Sequence, residues 1–150
     1  MRKAKRILAV ASSGGHWIQL LRLRPAFEGC DVAYLTTDPG HRAEVAPARF
    51  HTVKDANRWN KFALAACALK VIWVVVRERP DVVITTGAAP GYFALRFAKL
   101  LGARVAWIDS IANAEKLSMS GEMASRHADL CLTQWAHVAS GTVRCEGAVL

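Results

Sequence analysis

The chain has 150 residues, of which 53% are hydrophobic and 21% charged, and its 20 Lys and Arg against 12 Asp and Glu give a formal net charge of +8. That length suits one domain spanning 1–150 with a full hydrophobic core, and the balance excludes a disordered chain, a repeat array and a disulfide-stapled miniprotein. The positive surplus points to phosphate-bearing partners without choosing among nucleic acid, anionic lipid and a sugar-phosphate substrate.

Cys30, Cys67, Cys131 and Cys145 form no CxxC pair, and His127 with Cys131 is half a ligand set. The pattern predicts reduced thiols in a cytosolic setting, with no bound metal and no cofactor. Met1–Arg6, with Arg2, Lys3, Lys5 and Arg6, reads as a basic arm, and the apolar Ile7–Ala11 behind it is too short for a secretory core or a spanning helix. Phe62–Val76, interrupted by Lys70, also falls short of the roughly 20 apolar residues of a span.

In chain order, Ile7–Ser12 reads as a short buried strand. His16–Arg24 follows as a helix carrying Trp17, Leu20 and Leu21 at helical spacings before Pro25 and Gly29 stop it. Asp31–Thr36 is a second strand, closed by Asp38-Pro39-Gly40, and Phe50–Lys54 a third. Asn60–Glu78 reads as a long helix despite the β-branched run in Val71–Val76. Val82–Thr85 is a fourth strand, followed by a Gly87–Gly91 turn, a helix over Tyr92–Leu101 and a fifth strand, Val105–Ile108. After a polar connection from Asp109 to Gly121 come a short helix and a last strand near Leu130–Thr133. Continuously apolar strands alternating with helices predict an α/β fold with a doubly wound, mainly parallel sheet covered on both faces. In such sheets ligands bind beyond the carboxyl ends of the strands, at Ser12–His16, Thr36–His41, Thr86–Gly91 and Asp109–Ser120.

Ser12-Ser13-Gly14-Gly15-His16 stands where a strand turns into a helix, so free amides and the positive helix end face one spot. The segment reads as an anion seat or as an ordinary tight turn with a surface histidine. Thr85–Tyr92 repeats the arrangement, with Pro90 near the first helical turn where its missing donor costs nothing. Neither turn is a Walker A or spells GxGxxG, yet Asp38 follows the second strand where an acid would grip a ribose, so a nucleotide- or dinucleotide-binding module is a rival reading. Asp109 reads as a general base on a sugar hydroxyl or as a cap for the segment after it. On the long helix, Leu64, Ala68, Val71 and Val75 form an aliphatic stripe for the sheet. Trp59, Phe62, Ala66, Lys70, Trp73 and Arg77 fall opposite, a mixture of rings and cations that suits a bilayer interface.

Three segments together, SSGGHWIQL from Ser12, PDVVITTGAAPGYFALRFAKLLGARVAWIDSIA from Pro80 and KLSMSGEMASRHADLCLTQW from Lys116, carry a family resemblance. They resemble the acceptor-side, lipid-binding subunit of the split UDP-N-acetylglucosamine transferase of dolichol-linked oligosaccharide assembly, with bacterial relatives in exopolysaccharide and capsule clusters. The resemblance implies the Rossmann-like N-terminal half of a GT-B glycosyltransferase. It implies a membrane-associated subunit that binds a polyprenyl-diphosphate-linked sugar, while a separate UDP-sugar-binding subunit supplies the hexosyl or uronosyl donor.

On that resemblance Ser12, Ser13, Gly14, Gly15, His16, Thr86, Gly87 and Gly91 seat the acceptor diphosphate, His16 assists and Asp109 is the candidate base. Asp109-Ser110 stands where eukaryotic members have Glu-Ser, Leu117–Gly121 resembles a Ser-Leu-Thr/Ser-Gly stretch, and Gln134-Trp135 a Gln-Trp pair. Without the spanning helix of the eukaryotic subunits, attachment falls to the basic arm and to Trp59, Phe62, Lys70, Trp73 and Arg77. The expected location is peripheral, on an anionic membrane surface at the cytoplasmic face of the inner (plasma) membrane. Nucleic acid is not expected as a partner, because the basic residues are spread along the chain and match no nucleic-acid-binding motif.

Overall fold

The apolar runs become the strands of one parallel sheet in the computed structural model, which describes residues 2–149. Met1, part of the expected basic arm, and Leu150 lie outside the described residues. Along the chain come β1 (Arg6–Val10), α1 (Gly15–Arg22), β2 (Asp31–Thr36), α2 (Arg42–Val45), β3 (Arg49–Thr52) and α3 (Lys61–Glu78). They are followed by β4 (Val82–Thr85), α4 (Ala88–Leu100), β5 (Arg104–Ile108), α5 (Met119–Ser125), β6 (Leu130–Leu132) and β7 (Val143–Arg144). The strand order is β3-β2-β1-β4-β5-β6-β7, and every pairing is parallel.

Because successive strand residues face opposite sides, the sheet feeds two cores. Leu8, Val10, Leu35, Val83, Val105 and Trp107 pack against α3, α4 and α5, while Ile7, Ala9, Tyr34 and Phe50 pack against Trp17 and Leu20 of α1 with Phe27 and Val45. The doubly wound sheet expected from the sequence is therefore the observed one.

Local chemistry sets the helix limits. Asn60 caps α3 by accepting a hydrogen bond from the Ala63 amide at 3.0 Å. Val71, Val74 and Val75 are buried under the sheet with Cys67, so burial overrides the weak helix preference of the β-branched run. α4 begins at Ala88, ahead of the expected Tyr92, because Pro90 falls within the first turn, where amides have no intrahelical acceptor. β7 was not expected; it is two residues long and has no periodicity to read.

Gly91 is set by packing: a Cβ there would lie 2.0 Å from Thr85 Oγ1, a hydroxyl already held by the Gly87 amide at 3.2 Å. Gly91→Ala is expected to destabilise the fold by about 2 kcal/mol, the cost of overpacking a filled site. Urea denaturation would register this loss, and adding Thr85→Ala should recover much of it.

Candidate functional site

The strand order reverses direction between β1 and β4, and the turns after these two strands stand side by side at the sheet's carboxyl edge. Two reciprocal hydrogen bonds join them. Thr86 Oγ1 donates to the His16 carbonyl at 2.6 Å, and His16 Nδ1 donates to the Thr86 carbonyl at 2.9 Å. A carbonyl can only accept, so Nδ1 carries a proton, and in the neutral ring Nε2 then holds the free lone pair. Among the described residues Nε2 has no hydrogen-bond partner. Gly87, at φ 133°, lies directly under the ring, and a Cβ there would come within 2.8 Å of His16 Cε1.

Both helices that leave these turns have bare amino termini. Gly14 at φ 76° precedes α1 and Gly87 precedes α4, neither with a side-chain cap, and neither helix has an acid in its first turn. The Thr86 and Gly87 amides are used, on the Val10 carbonyl and Thr85 Oγ1, and Pro90 has none, so at α4 the Ala88 and Ala89 amides and, at both helices, the dipole ends favour an anion in front of them. Ala88, at φ 69°, holds a left-handed conformation uncommon outside glycine. A Cβ on Gly15 would meet nothing within 4 Å, so the space before the first turn is open.

The expected seat residues divide into two layers. Ser13, Gly14 and Gly15 are exposed and His16 is half-buried, whereas Ser12, Thr86, Gly87 and Gly91 are buried beneath them. Of the residues expected to meet the diphosphate, Thr86 has its hydroxyl engaged on His16 and Gly91 fits against Thr85. The Ser13 amide is also engaged, donating to Thr37 Oγ1 at 3.0 Å. Asp38 accepts from the Gly40 amide at 2.8 Å, capping its own turn, which weakens the ribose-binding alternative.

Asp109 takes the capping role rather than that of a solvent-facing base. It is 2% exposed, and its carboxylate accepts from Trp107 Nε1 (3.0 Å), Asn113 Nδ2 (3.1 Å), the Ser118 amide (2.9 Å) and Ser118 Oγ (2.6 Å). Ser118 in turn caps α5 through the Gly121 amide at 2.9 Å. A Cβ on Gly121 would meet Asp109 Oδ1 at 2.6 Å, so that glycine admits the carboxylate to the helix. The four hydrogen bonds tie the Asp109 carboxylate to neighbouring protein groups and it is out of water, a geometry that suits the cap of the two roles read from the sequence. Beside it, burial and the Asp109 charge raise the Cys131 thiol to about 11, which leaves it protonated at neutral pH.

Gln19 and Gln134 were not singled out as site residues. Gln134 Nε2 donates to Gln19 Oε1 at 2.7 Å and to the Asp109 carbonyl at 3.0 Å, and Gln134 Oε1 accepts from the Val149 amide at 2.7 Å. This buried amide pair ties α1 to the ends of β5 and β6. The Gln-Trp pair was its one sequence signal, and Trp135 joins in by donating to the Ile111 carbonyl at 2.7 Å.

Phe62, Lys70, Trp73 and Arg77 share the open face of α3, and Trp59 stands exposed just ahead of the helix. Trp59 is 81% and Phe62 91% exposed, and Lys70 and Arg77 lie over the Trp73 ring at 4.4 and 5.4 Å. Among the described residues no helix is long and apolar enough to cross a membrane, and no three His, Cys, Asp or Glu side chains gather as a metal site.

A family model described as oligosaccharide biosynthesis protein Alg14 like matches residues 42–147. The chain is 30% identical over 79 residues to the UDP-N-acetylglucosamine transferase subunit ALG14 of Yarrowia lipolytica, covering 49% of this chain and 37% of that one. Its fold is similar to MurG of Acinetobacter baumannii, with a TM-score of 0.79 at 16% identity over 97% of this chain and 46% of that one. It is also similar to the UDP-N-acetylglucosamine 2-epimerase of Rickettsia bellii, with a TM-score of 0.73 at 12% identity over 97% of this chain and 45% of that one. The two structural likenesses establish the fold, and the chain spans less than half the length of each of these three proteins.

The donors around Asp109 generate a stability test. Asp109→Asn turns one acceptor into a donor that faces existing donors, which should cost about 2 kcal/mol. Urea denaturation should show that loss, and an unchanged midpoint would contradict the anchoring role.

Proposed function

Because the chain belongs to the Alg14-like family of oligosaccharide biosynthesis proteins, we propose that it is the membrane-associated, acceptor-side subunit of a two-component glycosyltransferase. In this reading it binds a polyprenyl-diphosphate-linked sugar, and a separate subunit presents the UDP-sugar. The observation that carries the reading is the pair of adjacent, uncapped helix amino termini at the strand reversal, with His16 between them. One such terminus suits a single phosphate, and two side by side suit a diphosphate.

His16 then has a role distinct from the seat. A bare Nε2 lone pair repels an ionised phosphate oxygen but accepts a proton from a sugar hydroxyl, so His16 is assigned as general base. The acceptor oxygen attacks the anomeric carbon of the donor, the bond from that carbon to UDP breaks, and the hydroxyl proton passes to Nε2. Thr86 and Gly87 act as positioning residues, by fixing the ring's tautomer and leaving room beneath it. Asp109 acts further back, holding α5 at the end of β5.

The open face of α3 supports peripheral attachment to an anionic membrane, which we assign to the cytoplasmic face of the inner (plasma) membrane. Rings there sit at headgroup level and cations meet lipid phosphates. The free-standing nucleotide-binding alternative has less support, because Asp38 is occupied and the glycine fingerprint is incomplete.

Gly15→Asp tests the seat. An acid in the first helical turn favours the helix dipole and its Cβ has space, so melting temperature should hold or rise. Calorimetric titration of the isolated chain with farnesyl diphosphate should show affinity falling by about fivefold or more, since two like charges a few ångströms apart repel by about 1 kcal/mol or more. Unchanged affinity would overturn the seat. The membrane assignment makes its own prediction: replacing Trp59, Phe62 and Trp73 by Ser and Lys70 and Arg77 by Gln should abolish co-sedimentation with phosphatidylglycerol vesicles. Retained sedimentation would remove it.

A further inference from the structure

We infer that Arg58 completes the diphosphate seat as its side-chain cation, reaching over the amino terminus of α4; this rests on the acceptor-site reading above. Arg58 stands just ahead of α3, yet its guanidinium contacts Met119 Sδ, on the first residue of α5, at 3.4 Å. On this face α4 packs against α3 on one side and α5 on the other. A contact from the start of α3 to the start of α5 therefore spans the amino-terminal end of the helix between them. That end, at Ala88 and Ala89, is the half of the seat opposite Gly14 and Gly15.

The arm that carries Arg58 is built rather than loose. The Val53 amide donates to the Thr36 carbonyl at 3.0 Å, Ala56 packs on the core, and Asn57 Oδ1 accepts from the Trp59 and Asn60 amides at 3.0 and 3.1 Å. Trp59 lies under the guanidinium at 4.7 Å, holding the cation by its ring face. No carboxylate pairs with Arg58 among the described residues.

Electrostatics points the same way. A cation held across a helix amino terminus meets the positive end of the dipole, and α4 has no first-turn acid to offset it. An anion between them turns that repulsion into two attractions. A planar guanidinium suits phosphate oxygens bidentately, and the exposed Trp59, Phe62 and Met119 beside it offer apolar surface for the chain that leaves the diphosphate.

The test titrates the isolated chain and its Arg58→Gln and Arg58→Lys variants with farnesyl diphosphate, farnesyl monophosphate and inorganic pyrophosphate. Arg58 is exposed, so both variants should keep the wild-type melting temperature. Arg58→Gln should weaken both diphosphates by about tenfold, the loss of one charge-assisted pair, and Arg58→Lys by less. The monophosphate should lose less than either diphosphate. If Arg58→Gln binds both diphosphates normally while Gly15→Asp does not, the Arg58 assignment falls and the seat stands. If only farnesyl diphosphate weakens, Arg58 serves the hydrocarbon and its phosphate role is overturned. If the wild-type chain binds none of the three, the seat itself fails and the Arg58 assignment with it.

Discussion

The site depends on the clasp between the turns after β1 and β4. Parallel neighbours share no hairpin, so nothing in the chain's connectivity fixes one turn against the other. The two hydrogen bonds between His16 and Thr86 do so, and they also leave Nε2 as the free ring nitrogen. Gly87 is part of the same device, because the ring occupies the volume a Cβ would need. The clasp thus sets at once the spacing of two helix dipoles and the protonation pattern of the one imidazole between them.

A second anchor lies one strand away. Asp109 follows β5 directly and gathers donors from that strand, from the following loop and from the α5 cap. A charged side chain at this depth is tolerable only because its oxygens are so well supplied with donors. Gln134 then binds the Asp109 carbonyl and Gln19 together, which joins this anchor to α1. The rim beyond β1, β4, β5 and β6 is in this way one connected hydrogen-bonded surface, well suited to holding a rigid site.

Much of the fold was legible because burial writes itself into the sequence. Asp31–Thr36 and Val82–Thr85 are apolar runs bounded by breakers, and both are strands over those same residues. The aliphatic stripe of α3 faces the sheet, Val71 and Val75 fully and Leu64 and Ala68 in part. The site was legible only in outline. A glycine-rich string looks the same whether a glycine admits a ligand, as the open Gly15 could, or a neighbouring side chain, as Gly91 does for Thr85. Asp109 stood out as an acid after a strand, but its donors at Trp107, Asn113 and Ser118 converge only in three dimensions. Arg58 left no trace at all, since a lone arginine in a polar loop becomes distinctive only through its contact with α5.

Acids are distributed unevenly between the two edges of the sheet in this chain of net charge +8. Among the described residues most ion pairs lie at the opposite edge, where strands begin: Arg6 with Asp81, Arg49 with Asp31 and Glu78, and Lys99 with Asp129. Arg6 holds the Asp81 carboxyl down at about 2, chiefly through their side-chain hydrogen bond, and Lys99 keeps Asp129 below the usual carboxylate range. Those acids stay ionised at neutral pH and are engaged with cations on the spot. At the carboxyl edge α1 and α4 begin without an acid of their own, and Asp109 is buried and turned to its own donors. Neither helix is therefore met by an acid of its own first turn, which leaves the two positive ends available to an anion such as a diphosphate.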